Sequence, residues 1–159
     1  MTQISRRSAL ALLVAPFALA ACGSKRNLVA NSPSTVGLQA GETAELRALI
    51  RKYAAHHDIP ESLLHRVIQR ESKYNPGARN GPYYGLMQIQ PQTARTMGYK
   101  GPPEGLLDAE TNLKYAGKYL RGAWLVSNGS QDRAIRWYSS GYYYEAKRRG
   151  LLKETGLKS

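Results

Sequence analysis

Glu71 is the residue whose type and position first suggest chemistry in this sequence. A helix over residues 60–73 would carry on its apolar side Leu64, Val67 and Ile68. A turn of about 100° per residue places Glu71 on that same side. Because a carboxylate in apolar surroundings is costly to ionise, its pKa rises and it can donate a proton near neutral pH, for example to a glycosidic oxygen. The alternative is a structural glutamate at a helix end, paired with Arg70, Arg79 or a backbone amide.

Four short segments around and after Glu71 form a recognisable set. They are "ESKYNP" (71–76), "GLMQIQPQTA" (85–94), "NLKYAGKYL" (112–120) and "AIRWYSSG" (134–141). Together they resemble the motifs of lytic transglycosylases of the soluble-lytic-transglycosylase-like (SLT) family, which are relatives of goose-type lysozyme. The resemblance extends from about residue 46 to residue 141, which is nearly all of the part of the chain expected to fold.

The resemblance implies roles for the matched positions. Glu71 matches the catalytic acid and base, and Ser72 matches the serine beside it. Gln88 matches a glutamine near the reacting sugar, and Tyr138 a tyrosine whose hydroxyl lies near the catalytic carboxylate. The substrate-binding set predicted in this way is Ser72, Asn80, Met87, Gln88, Tyr138 and Ser139. Structural alternatives exist, since Ser72 can close a helix end, Met87 can belong to the core, and Tyr138 can be a core aromatic with a satisfied hydroxyl.

The sequence also departs from the family pattern. Asn80 stands where the family often has serine, and the loop to Gly85 is one residue shorter, with "PYY" in place of a Gly-Ala pair. Ser139 replaces an asparagine, and Gln90 replaces a methionine. These departures concern substrate contacts and subsite preference but leave the acid in place.

The matched motifs contain one carboxylate, whereas hydrolysis of a glycosidic bond commonly uses two. The resemblance implies that peptidoglycan itself completes the chemistry. The N-acetyl group of N-acetylmuramic acid (MurNAc) stabilises charge at C1 and the 6-hydroxyl of the same sugar attacks, giving a 1,6-anhydro end without water. Two alternatives remain open: a lysozyme-like hydrolase with Asp108 or Glu110 as second carboxylate, and a non-catalytic peptidoglycan-binding lipoprotein.

The elements that must position these residues are mainly helices. The apolar spacing predicts a first helix through Leu46, Leu49, Ile50, Tyr53 and Ala54. Pro60 fits the first turn of the next helix, and Asp108 can cap a long helix to about Ser127. Shorter helices are predicted over residues 131–139 and 143–152. The fold class expected is mainly α, a single compact α+β lysozyme-like domain with a small irregular or β strip around Gly85–Ile89 lining the cleft.

The first residues predict export. Two arginines precede an apolar run over residues 9–21, which is too short to span a bilayer. "LAAC" (19–22) resembles the lipobox of bacterial lipoproteins, so we expect a signal peptide (1–21), a lipidated Cys22 that begins a tether (22–41), and a folded domain (42–159). The alternative is that Cys22 is not lipidated and merely lies near an ordinary cleavage site or in an uncleaved anchor. The export route is also open, because the two arginines resemble a twin-arginine signal as well as fitting ordinary secretion. The residue after the lipidated cysteine influences which membrane an enterobacterial lipoprotein is sorted to. By resemblance to that rule, Gly23 in place of aspartate favours the outer membrane of the cell envelope.

Composition limits the remaining function classes. The formal net charge of +12 is spread along the chain, which favours acidic partners, but no nucleic-acid-binding motif accompanies it. The three histidines lack a metal-ligand spacing and no phosphate-binding glycine loop is present, so we expect no metal and no cofactor. With Cys22 as the chain's one cysteine, no intramolecular disulfide can form. The predicted partners are therefore peptidoglycan strands and a membrane reached through Cys22; the sequence identifies no protein partner.

Overall fold

The longest helix, α4 (Ala109–Leu125), is the element around which the others pack in the computed structural model, which describes residues 37–158. Before it in the chain come α1 (Ala44–His56), α2 (Glu61–Glu71), strands β1 (Arg79–Asn80) and β2 (Tyr83–Tyr84), α3 (Pro91–Thr96) and a 3-10 helix (Pro103–Leu107). After it come α5 (Gln131–Ser140) and α6 (Tyr143–Arg148). The expectation of a mainly helical, lysozyme-like α+β domain is confirmed.

Helix α4 forms where its sequence predicts it. Asp108 accepts a hydrogen bond from the Thr111 amide at 2.8 Å and caps the first turn, as expected for an N-cap carboxylate. The inward stripe is fully buried and consists of Leu113, Ala116, Leu120 and Ala123. Helix α4 contacts α1, α3 and α5, so it fixes their relative positions.

Helix α2 presents a buried row to the core and ends at the candidate acid. Leu64, Val67 and Ile68 have no exposed surface. The helix stops at Glu71, two residues earlier than the range used in the sequence argument, because Lys73 and Tyr74 adopt left-handed backbone conformations with φ of 51° and 64°. Glu71 is therefore the last helical residue of an otherwise apolar row.

The β structure lies slightly earlier than the sequence predicts. Strands β1 and β2 pair antiparallel, with Arg79 opposite Tyr84 and Asn80 opposite Tyr83. Residues 85–88 form a turn, after which one isolated bridge joins Tyr84 to Ile89. The strip expected around Gly85–Ile89 is thus mainly a turn attached to a two-stranded sheet. Helix α3 and the 3-10 helix have no counterpart in the sequence predictions.

Candidate active site

The Glu71 side chain lines a cavity of about 340 Å³ between α2, the sheet and α5. The lining residues are Arg70, Glu71, Asn80, Tyr83, Gln88, Tyr138 and Ser139. The Glu71 side chain is 22% exposed, so it reaches the cavity while most of its surface is covered. Burial raises the pKa of the Glu71 carboxyl, and the nearby charge of Arg70 acts against that rise. The local environment therefore favours the protonated form more than water does.

One wall of the cavity is the turn over residues 85–88, and Asn112 of α4 holds it from behind. The Asn112 side chain accepts a hydrogen bond from the Met87 amide at 2.9 Å and donates to the carbonyls of Tyr84 and Leu106 at 2.8 Å each. Gly85 has φ of 76° and lies so close to Asn112 that a Cβ would clash. The turn is consequently fixed by buried hydrogen bonds and not by a regular strand.

Sequence reasoning included Asn112 in a motif but gave it no role. A signal was available, because Asn112 precedes Ala116 by four and Leu120 by eight residues on the buried stripe of α4, and is itself fully buried. A polar residue in such a row must find hydrogen-bond partners inside the protein. The same logic that singled out Glu71 would have singled out Asn112.

Gln88 belongs to this wall and has an unusual backbone, with φ of 49°. Its side-chain nitrogen donates to the carbonyl of Ala78 at 3.1 Å and to that of Gly85 at 2.9 Å. Both donors of the amide are thereby used, and within the described residues its carbonyl oxygen accepts no hydrogen bond. Gln88 therefore presents an acceptor at the cavity.

Tyr138 closes the cavity from α5 and is 9% exposed. Its hydroxyl donates to the Met87 carbonyl at 2.8 Å, and its ring packs against Tyr119 with centroids 5.4 Å apart. Burial, and secondly the negative charge of Glu71, raise the pKa of Tyr138 well above its ordinary value, so the phenol stays neutral. Tyr138 is thus both a packed aromatic with a satisfied hydroxyl and a neighbour of Glu71.

The structure separates the predicted substrate-binding residues into two groups. Asn80, Gln88, Tyr138 and Ser139 line the cavity with Glu71. Met87 is fully buried in the core and offers its backbone to Tyr138. The Ser72 hydroxyl donates to the Ile68 carbonyl at 3.3 Å at the end of α2. Ser72 and Met87 are therefore arranged to support the walls and do not line the cavity.

A second cavity of about 180 Å³ continues from the first along α5 and α3. The two share Tyr83, Gln88, Tyr138 and Ser139 as lining residues, and the second extends to Gln90, Thr93 and Gly141. Together they form a groove, which we call the cleft. Two larger depressions of about 620 and 510 Å³, which share Met97 and Lys118, contain neither Glu71 nor any other residue of the predicted site.

Among the described residues that line the cleft, Glu71 is the one carboxylate. Asp108 serves as the N-cap of α4. Glu110 pairs with Lys52 at 2.5 Å and accepts from the Tyr53 hydroxyl at 3.2 Å, on the α1 side of the helix. The two residues considered as a second carboxylate are therefore engaged elsewhere.

Comparison with protein families agrees with the motif resemblance. The family model described as the transglycosylase SLT domain matches residues 48–153, which is more than half of the chain. The chain belongs to the SLT family. The resemblance inferred from the four short motifs is thereby confirmed, and the matched range contains every residue that lines the cleft.

The curated SLT-family relatives include soluble and membrane-bound proteins. The chain is 35% identical over 101 residues to the soluble lytic murein transglycosylase of Escherichia coli strain K12, a match covering 58% of this chain and 16% of that protein. It is 33% identical over 107 residues to the membrane-bound lytic murein transglycosylase F of Shewanella woodyi, covering 63% and 22%. It is 36% identical over 80 residues to the membrane-bound lytic murein transglycosylase C of Yersinia pestis, covering 45% and 22%.

These relatives are much longer proteins, of which this chain spans less than a quarter. A comparison with the solved structures gives no match. Within residues 37–158, no helix combines the length and apolar character needed to cross a bilayer. The same residues contain no cluster of three or more His, Cys, Asp or Glu side chains arranged to hold a metal ion.

Proposed function

We propose that this chain is a lytic transglycosylase that cleaves the β-1,4 bond between MurNAc and N-acetylglucosamine (GlcNAc) in peptidoglycan. The observation that carries the proposal is the setting of Glu71. It is a mostly covered carboxylate with a raised pKa in the cavity of about 340 Å³ within the cleft, where the other lining residues are neutral polar, aromatic and arginine side chains. Membership of the SLT family supports the substrate class.

In the first step Glu71 acts as the acid. Its carboxyl donates a proton to the glycosidic oxygen as the bond from that oxygen to C1 of MurNAc breaks, and the leaving GlcNAc gains a 4-hydroxyl. The N-acetyl oxygen of MurNAc stabilises the positive charge that develops at C1. Burial supports this step because it raises the pKa of Glu71 and so favours the protonated carboxyl.

In the second step Glu71 acts as the base. The 6-hydroxyl of the same MurNAc attacks C1, and the Glu71 carboxylate accepts the hydroxyl proton. The product is a 1,6-anhydro-MurNAc end, Glu71 is protonated again, and no water is consumed. A nucleophile tethered beside C1 has an effective molarity that bulk water does not reach, which removes the need for a second carboxylate.

The cleft offers the groups that a glycan strand requires. The free carbonyl oxygen of Gln88 is suited to accept a hydrogen bond from a sugar hydroxyl or amide, and Asn80 and Ser139 add polar groups on either side. Tyr83, which is 40% exposed, provides an aromatic face for the sugar ring. Ser72 and Met87 contribute through the position of α2 and of the turn wall.

The test is the chemical nature of the released fragments. Purified sacculi digested with the full chain should yield muropeptides lighter by one water than the products of a lysozyme, and borohydride should not reduce their muramyl ends. Reducible ends as the main product would establish the hydrolase alternative. Adhesion to sacculi without release of any fragment would establish a binding protein and contradict the proposal.

We further propose that the protein is attached to the cell envelope through Cys22, with the catalytic domain facing the periplasm. Cys22 and the signal peptide lie outside the described residues, so this proposal rests on the lipobox-like segment of the sequence. The names of two relatives describe membrane-bound proteins, which agrees with it. One acyl chain gives only marginal membrane binding, so stable attachment needs the multiply acylated cysteine of bacterial lipoproteins.

Processing in cells tests the attachment separately from the activity. Globomycin treatment should cause the uncleaved precursor to accumulate, and Cys22→Ala should release the protein from the outer-membrane fraction. Unchanged processing and fractionation of Cys22→Ala would show that Cys22 is not the anchor.

A further inference from the structure

Arg70 lies between Glu71 and the opposite side of the cleft. Its Nε is 3.4 Å from a carboxylate oxygen of Glu71, and one terminal nitrogen of the guanidinium donates to Ser139 Oγ at 2.7 Å. The Ser139 hydroxyl in turn donates to the Ile135 carbonyl at 3.1 Å, one turn earlier in α5. One cation is thus shared between the end of α2 and the end of α5.

We propose that Ser139 holds the Arg70 guanidinium at a separation from Glu71 that allows this carboxyl to serve alternately as acid and as base. Arg70 is then a positioning residue that acts through Glu71, and Ser139 sets how strongly it acts. This inference rests on the proposed function and deepens it.

The separation between the two charges is the first argument. Charge-assisted hydrogen bonds between a guanidinium and a carboxylate are usually about 2.7–2.9 Å long and often bidentate. The single 3.4 Å contact is longer, while the shorter hydrogen bond of Arg70 goes to Ser139. A close bidentate pair would keep Glu71 ionised and unable to donate a proton. Without Arg70, burial alone would hold the proton more tightly and weaken the base.

The composition of the cavity is the second argument. The titratable groups lining it besides Glu71 are Arg70 from α2, Tyr83 from β2 and Tyr138 from α5. Tyr138 is neutral because its pKa is raised. Lys73, two residues after Glu71, is exposed and does not line the cavity. Arg70 is therefore the one cation among the described residues lining this cavity, and it opposes the effect of burial on the pKa of Glu71.

Substitution of Arg70 and substitution of Ser139 should shift the pKa of Glu71 in opposite directions. Arg70→Gln removes the cation, so the pKa of Glu71 rises and the fall of kcat on the alkaline side moves to higher pH. Ser139→Ala frees the guanidinium to approach Glu71, so the pKa falls and the same limb moves to lower pH. The double variant has no cation to release and should behave like Arg70→Gln.

Helices α2 and α5 supply a matched control. Arg66 of α2 pairs with Asp132 of α5 at 2.5 Å on the exposed side of the same helix pair, outside the cleft. Arg66→Gln also removes one arginine and its contacts with Gln131 and Asp132 of α5, but these lie away from Glu71, so the variant should leave the pH profile unchanged. It separates an effect on Glu71 from a general loosening of the two helices.

The experiment measures kcat against pH on labelled sacculi for the full chain and the four variants. We expect shifts of at least about half a pH unit, upward for Arg70→Gln and downward for Ser139→Ala, since an opposite charge at this range changes a carboxyl pKa by roughly one unit or more when poorly solvated. NMR titration of ¹³C-labelled Glu71 carboxyl carbon should give the same directions without requiring turnover. An inactive wild type with the predicted NMR shifts would contradict the proposed function alone. Shifts of equal sign, no shift, or a shift in Arg66→Gln would overturn the inference.

Discussion

Glu42 and Glu71 both have largely covered side chains, and their pKa values are shifted in opposite directions. Glu42, just before α1, has a side chain with no exposed surface, and both its oxygens are engaged by Arg47, with a further bond at 2.9 Å from the Gln39 amide. Burial pushes the pKa of Glu42 upward, but these hydrogen bonds outweigh it and the pKa lies below the ordinary 4.5. Glu71 has 22% of its side chain exposed and one long contact to Arg70, and its pKa lies above 4.5.

The difference shows that burial does not decide by itself what a carboxylate does. Glu42 has the less exposed side chain and the lower pKa, because its charge is matched by hydrogen bonds that favour the ionised form. The pKa of Glu71 is raised because burial acts on it without such partners. Satisfied partners make Glu42 a structural ion pair with Arg47, whereas Glu71 has no close hydrogen-bond donor of this kind among the described residues, as the proposed role of an acid and base requires.

The largest effect that this comparison predicts is loss of activity in Glu71→Gln. The amide keeps the shape of the side chain but cannot deliver a proton, so turnover should fall by about 10²- to 10⁴-fold. The free energy of unfolding should stay the same or rise, because an acid in a mostly covered position is a functional compromise. Turnover on sacculi and urea unfolding measure the two quantities. Retention of a tenth of wild-type turnover would point to another acid.

Glu42→Gln should give the reverse result. The substitution leaves Arg47 facing an amide in a covered position, so the free energy of unfolding should fall by about 3 kcal/mol, as when one partner of a buried pair is removed. Turnover per folded molecule should remain within about twofold of wild type at low temperature. Glu45→Gln, in the exposed first turn of α1, is the matched control and should change stability by less than about 0.5 kcal/mol. A larger loss of activity than of stability in Glu42→Gln would contradict the division between the two glutamates.

Tyr138→Phe tests whether burial, and not a hydrogen bond from this phenol, sets the state of Glu71. The hydroxyl bonds Met87 in the structure, so its removal should leave a buried carbonyl unpaired and lower the free energy of unfolding by about 1–3 kcal/mol. Activity should remain above a tenth of wild type, because the ring still lines the cavity beside Glu71. Tyr144→Phe, on a side chain that is 82% exposed, is the control and should change neither. A near-complete loss of turnover with normal stability would instead assign the hydroxyl to the reaction.

The smallest effects concern the pH dependence of stability, and their signs differ. The folded pKa of Glu71 is above its unfolded value, so the folded state binds the proton more tightly and wild type loses stability relative to Glu71→Gln as pH rises from about 4.5 through the raised pKa. The folded pKa of Glu42 is lowered, so its stabilising effect is present above about pH 4.5 and disappears as pH falls through the folded pKa. Urea unfolding of wild type and each variant between pH 3 and 8 measures both differences. If stability changed with pH in the same direction at Glu42 and Glu71, the two sites would not differ in the way described.

Much of the helical framework follows from local sequence. Asp108 caps α4 as predicted, and the start of α5 at Gln131 and of α6 at Tyr143 agree with the expected positions. The ends are less well predicted, since α6 stops at Arg148 and not near Leu152. A helix end depends on the backbone conformation of the next residues, which side-chain periodicity does not describe. The sheet over residues 79–84 has too few residues to show an alternating pattern.

The candidate site also has a part that the sequence predicted and a part that it did not. Periodicity alone placed Glu71 on the buried row of α2, and short motifs placed Gln88, Tyr138 and Ser139 in one family pattern. The sequence left open whether Met87 binds substrate or lies in the core, and whether Ser72 binds substrate or closes its own helix. It gave Asn112 no role in holding the turn wall. The roles of Met87 and Asn112 depend on contacts between residues that are far apart in the chain, whereas the Ser72 bond is local to α2.

What the sequence determined by itself is the set of helical segments other than α3 and the 3-10 helix, the family and the position of one acid on an apolar face, because these depend on spacing within short segments. Tertiary structure alone decided the protonation behaviour of that acid. Glu42 and Glu71 are the same residue type, and only the packing of Arg47 and Gln39 around one, and of Tyr138, Arg70 and Ser139 around the other, gives them different pKa shifts. The physical reason is that the free energy of a buried charge is set by the groups within a few ångströms of it, which only the folded chain brings together.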